Sequence, residues 1–270
     1  MVFYQKRGDL PAKKHTTFYK KDKATLYREE LVSTKGFSGI FSTKYHINLP
    51  TAVRKFEEIP GLQYNIWKEA PLQNYHFLTG NIQSPGNFVT SRNYFLSNEQ
   101  VEVSTANVTE SCSDFYENAA AHEMIFVHHG TGKYYSDYGV LPIRQGDYLV
   151  IPKGTIGQLQ FDDLNKVKLF IIESTVPFEI PRHFRNEYGQ LLEDAPYSER
   201  DFNSPEFLEP IDRKADFTLF IKSKNRLYNY NLDHHPFDLV GWDGYCYPFT
   251  FNIEDYAPKV GKLHLPPPVH

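Results

Sequence analysis

Cysteine, methionine and tryptophan each occur only twice in the 270 residues. The two thiols, Cys112 and Cys246, could pair in principle. So few in a chain this long argue for a reducing compartment rather than a disulfide-stapled secreted scaffold. No stretch approaches the roughly 18 apolar residues that a membrane-spanning helix needs, and the opening MVFYQKRGDL has no apolar signal core. The expectation is a soluble, cytoplasmic protein with no membrane partner. GxSxG, GxGxxG and Walker-type loops are missing, so serine hydrolysis, dinucleotide binding and NTP hydrolysis have no support. An overall excess of positive charge is missing too: the net charge of −4 argues against nucleic acid as the main partner. There is no internal repeat and no low-complexity tract.

What the chain has is aromatic side chains, with 19 Tyr and 21 Phe. Flat rings suit the pleated faces of sheets, and the length is enough for one large all-β unit or two smaller barrels. Folding such a chain should bury about three-quarters of its unfolded surface, so no staple is needed. Residues 1–28 depart from the acidic average, with eight Lys or Arg against two Asp. Tyr4, Phe18, Tyr19 and Tyr27 are interleaved among these charges as packing anchors. The stretch reads as an extended arm lying on the body or on a neighbouring subunit rather than as a nucleic-acid arm.

The most structured text runs from His122 to Gly157. Short apolar runs (MIFV, VLPI, YLVI) alternate with turns (HGTG, SDYG, RQGD, PKGT), the pattern of antiparallel strands. Further strand text lies in QVEVSTANV, KVKLFIIEST and FTLFIKS. Within the central stretch, Glu123 followed by Gly130, and Gly146 followed by Pro152 and Gly154, resemble the two signature motifs of the cupin barrel, a double-sheet jelly roll. Metal-binding cupins carry an HxH pair just before that Glu and a His three residues after the last Gly. Here those slots fall on Tyr116–Ala119 (YENA) and on Gly157, so one of four ligands is left. One carboxylate cannot replace three imidazoles at a transition metal. His128 and His129 are adjacent on a strand and cannot both face inward, although His129 could share a face with Glu123. A metal-less barrel is expected.

Two other places attract attention. Asp233, His234 and His235 look like a metal cluster, but without a further ligand at workable spacing they read as a solvated loop. Trp242 and Asp243 in GWDG read as a tight turn with a buried ring. The polar, Pro-punctuated stretch from Pro181 reads as a long crossing with at most one short helix.

Taken in order, PAKKHTTF (11–18), EELVSTKGFSGIFSTKYHINLPT (29–51), GDYLVIPKGT (146–155), NEYGQLLEDAPYSERD (186–201) and PFDLVGWDGYCYPFTFNIED (236–255) resemble the homogentisate 1,2-dioxygenase family. The resemblance implies a bicupin, with residues 1–58 as the N-terminal arm, 59–180 as a metal-less first barrel, and 181–270 as a crossing segment and the start of a second barrel left incomplete. It also implies homo-oligomers, as trimers or paired trimers, and a small aromatic substrate opened with O2. The implied product of homogentisate is maleylacetoacetate, in tyrosine and phenylalanine breakdown. The family's cofactor is Fe(II), held by two His and one Glu that would lie past His270, so this chain alone is expected to hold none and to be inactive. The resemblance further implies a His acting as base on the substrate phenol. By spacing His264 is the nearer match and His270 the second.

Overall fold

The computed structural model describes residues 3–60, 73–82 and 84–257. Among them the regular structure is strand, punctuated by short 3-10 turns. In chain order the first strands are β1 (Gln5–Gly8), β2 (Arg28–Ser33), β3 (Phe41–His46), β4 (Val53–Ile59), β5 (Arg92–Ser97) and β6 (Val101–Val108). The motif-bearing region supplies β7 (Phe115–Asn118), β8 (His122–His129), β9 (Gly132–Ser136), β10 (Gly139–Ile143), β11 (Asp147–Ile151), β12 (Gly157–Phe161) and β13 (Val167–Ser174). The remainder are β14 (Phe202–Asn203), β15 (Lys214–Ser223), β16 (Arg226–His234), β17 (Leu239–Gly244) and β18 (Phe249–Asn252).

Two seven-stranded sheets, ordered β10-β9-β12-β7-β15-β16-β4 and β14-β18-β11-β8-β13-β6-β5, form a sandwich. Period-2 alternation decides which side chains meet between them. Ile125, Val127, Leu149, Leu169 and Ile171 from one sheet share a core with Tyr134, Leu141, Ile143 and Leu159 from the other. This is the all-β, cupin-type β-sandwich expected from the sequence. The apolar runs MIFV, VLPI and YLVI fall in β8, β10 and β11, and KVKLFIIEST supplies β13.

The sheets run across the boundary that the sequence suggested near residue 181. β15 lies parallel to β7, while β18 and β14 extend the sheet beyond β11. In the described residues, β14, β15, β16 and β18 therefore belong to the same sandwich as the strands before 181. The crossing itself holds two 3-10 turns, Arg182–Phe184 and Glu199–Asp201, the second closed by a capping box from Ser198.

A third, four-stranded sheet, β1-β17-β3-β2, attaches the basic arm to its own chain. Phe18 packs on Tyr27 and Tyr45 with ring centroids 4.8 and 5.4 Å apart, and Lys14 Nζ lies 2.8 Å from Asp243. GWDG is part of β17 and not a tight turn, which corrects the sequence reading. Its ring is buried, and the indole N–H donates to the Tyr138 carbonyl at 2.8 Å. Gly241 is required because a Cβ there would overlap the Asp9 backbone. No described helix is long and apolar enough to cross a membrane.

Candidate functional site

The register of three neighbouring strands puts Glu123 (β8) beside Glu173 (β13), and Glu173 beside Glu102 (β6). Like charges directly opposite one another in a sheet destabilise it. Here two cations are interposed. Arg92, at the start of β5, donates from Nη1 to Glu123 at 2.7 Å and to Glu173 at 3.0 Å, and from Nη2 to Glu123 at 3.3 Å. Lys222 reaches in from β15 on the opposite sheet, 2.6 Å from Glu173 and 2.9 Å from Glu102. The result is an alternating row, Glu123–Arg92–Glu173–Lys222–Glu102, that crosses the sandwich.

The remaining lone pairs are also met. Asn118 Nδ2 donates to both Glu123 and Glu173, at 3.0 and 2.7 Å. The hydroxyls of Tyr116 and Tyr94 donate to Glu123 and Glu173 at 2.7 and 2.9 Å. The guanidinium lies over the Phe88 and Tyr116 rings. Burial alone would raise the Glu123 carboxyl, but the Arg92 charge and these hydrogen bonds outweigh it and hold the group below its ordinary range.

This row is anchored on Glu123, the one residue that matches a ligand slot of metal-binding cupins. Tyr116 and Asn118, in the slot of the missing HxH, serve Glu123 as hydrogen-bond donors. At Gly157, the slot of the third imidazole, a Cβ would overlap the hydroxyl of Tyr134, itself buried. His129 is exposed and bonded to Gln145 at 3.2 Å. A register shift pairs Val127 with Leu169 and His129 with Lys168, leaving His128 as the extra residue, so the period-2 argument that joined His129 to Glu123 breaks there. His122 is buried with Nδ1 accepting from the Lys153 amide, and burial, with Lys153 nearby, pushes it down to about 4. Among the described residues no group of three His, Cys, Asp or Glu could hold a metal. A guanidinium against both core carboxylates, with a phenol filling the third slot, does not fit a bound iron.

Asp233, His234 and His235 do not form a solvated loop, which corrects the sequence reading. His234 and His235 are buried. His234 Nδ1 pairs with Asp233 at 2.8 Å, while His235 packs among Phe115, Phe217 and Phe237. A second charged row was not anticipated at all: Asp137–Lys44–Glu30–His46–Asp238, linked at 2.5, 3.3, 3.1 and 2.7 Å. Burial disfavours the His46 cation, but hydrogen bonds to Asp238 and Glu30 raise it to about 9. His264 and His270 lie outside the described residues.

The sequence profile described as Homogentisate 1,2-dioxygenase N-terminal matches residues 20–253. The chain belongs to that family. A Saccharolobus solfataricus protein that bears a provisional dioxygenase name is 40% identical over 268 residues, covering 99% of this chain and 68% of the relative. Homogentisate 1,2-dioxygenases of Emericella nidulans and Rhodopseudomonas palustris are each 26% identical, over 48% and 60% of this chain. Those matches span 28% and 36% of the two enzymes. Among solved structures, a cupin 2 conserved barrel domain protein from Leptotrichia buccalis covers 60% of this chain and 88% of its own at 12% identity. The TM-score of that comparison is 0.27. In this homogentisate dioxygenase-family chain, the closed centre thus belongs to the N-terminal region that names the family.

Proposed function

We propose that this chain is part of an Fe(II)-dependent ring-cleaving dioxygenase that opens homogentisate with O2 to maleylacetoacetate. Within it, the sandwich described above is a non-catalytic framework. The family match over 20–253 supports the dioxygenase reading. The observation that carries the framework role is Arg92 seated between Glu123 and Glu173. With its own cations against Glu123 and Glu173, the sandwich contributes rigidity and surfaces for a homo-oligomer, and the iron is held by other residues. Of the chain's own groups, His264 or His270 would act on the substrate. A near-neutral imidazole is suited to taking a phenolic proton. Disruption of the gene in its host tests the activity. Disrupted cells given homogentisate should leave it unconsumed and show no O2 uptake in response. Undiminished conversion contradicts the proposal.

A further inference from the structure

A cavity of about 680 Å3 lies between the four-stranded sheet and the face of β15 and β16, away from the Arg92 centre. That is within the range of small-molecule sites, roughly 300–1,000 Å3. One wall is apolar, built from Leu219, Ile221, Tyr230 and Leu232. The other is charged, with Glu30, Lys44, His46 and Asp137, while Glu117 on β7 lies beside Ile221 on the apolar side.

Hydrogen-bond supply and demand on the charged wall do not balance. The buried cations are already served: Lys44 lies between Asp137 and Glu30 and over the Tyr138 ring, and His46 lies between Glu30 and Asp238. An acceptor is left over. Asp137 is only 6% exposed, yet its Oδ1 has no hydrogen-bond partner among the described residues. Glu117, half-buried on β7, adds a second carboxylate to the same space. The unmet buried acceptor at Asp137 calls for a donor, and an ammonium supplies three with a charge complementary to both carboxylates. We propose that this cavity binds a small primary amine with an apolar body, its ammonium at Glu117 and its body against Leu219, Ile221, Tyr230 and Leu232. The site is independent of the dioxygenase reading and shares no residue with the Arg92 centre.

The surroundings of Glu117 supply a signature. Lys44 and His46 face it from β3, Glu30 from β2, Asp137 from the β9–β10 turn, and Lys153 and His234 line the same space. Burial raises the Glu117 carboxyl to about 7; Lys44 opposes the rise, and Asp137 and Glu30 add to it. An arriving ammonium favours the ionised carboxylate, so binding near pH 7 should release a proton. The test is isothermal titration of the 270-residue chain with phenethylamine, in two buffers of different ionisation enthalpy, with phenylacetate as the anionic comparison. Saturable binding near or below ~1 mM is expected, with a buffer-dependent enthalpy that reports proton release and no binding of phenylacetate. The near-isosteric Glu117→Gln should weaken phenethylamine at least about tenfold and abolish the buffer dependence. Absence of saturable binding, equal binding of phenylacetate, or binding of the amine without proton release would each overturn the proposal. The last two readouts need only the wild-type chain.

Discussion

Replacing Arg92 with Ala should lower the stability of the chain by about 3–5 kcal/mol, the largest effect expected of any single substitution in the core. The reason is what remains behind. The Arg92, Glu123 and Glu173 side chains are each at most 1% exposed, so the truncation leaves Glu123 without a cation and without a route to water. Lys222 still neutralises Glu173, but Glu123 keeps only the neutral donors Tyr116 and Asn118. Against a total stability of about 5–15 kcal/mol, the loss is from about a fifth to the whole of the margin. Arg92→Lys should recover only part of it, because an ammonium cannot reproduce the fork that bonds Glu123 through two nitrogens. Equilibrium urea unfolding measures the change as a fall in midpoint at unchanged slope. A loss below ~1 kcal/mol would mean that the row is incidental.

The second large effect is expected where the cupin pattern invites repair. Gly157→His restores an imidazole to the position three residues after Gly154, and in an open cupin it would be a step toward a metal site. Here the new Cβ meets the hydroxyl and ring of Tyr134, a buried residue on the neighbouring strand β9. Overpacking a well-filled core by even a methylene costs about 1–3 kcal/mol, and a whole imidazole should exceed that. The variant should show a depressed unfolding midpoint and no gain in bound Fe or Zn. A stable variant that binds one metal ion per chain would show that the Tyr134 ring yields readily and that the slot is open.

The strands around the motif stretch were legible because their determinants are local. Apolar runs of four between Gly- and Asp-rich turns leave little choice but antiparallel hairpins, and β8 to β12 follow that text closely. The absence of imidazoles from the ligand slots was legible for the same reason. What fills the slots was not. Arg92 meets Glu123 across 31 residues, and Lys222 meets Glu173 across 49. Neither sits in a recognisable motif. A faint signal existed: Glu173 is the one acid inside the apolar run LFIIES, and Lys222 stands at the end of FTLFIK. A lone charge in buried strand text implies a partner, yet sequence does not say which. The continuation of both sandwich sheets across residue 181 was not legible, for a topological reason. The parallel pairing of β7 with β15 is non-local, and a polar, Pro-rich crossing between them reads as a linker. Likewise, the bulge beside His128 shifts strand parity in a way that no periodicity reveals.

Metal content is the most direct test of a sandwich whose centre is closed by its own cations. The 270-residue chain should be incubated anaerobically with excess Fe(II), desalted and assayed for iron, beside the same chain carrying Glu123→Ala. The expected result is well under one equivalent of iron in both, with no O2 uptake on addition of homogentisate. One equivalent of iron in the wild type that disappears in Glu123→Ala would contradict it, placing the metal where the structure places Arg92.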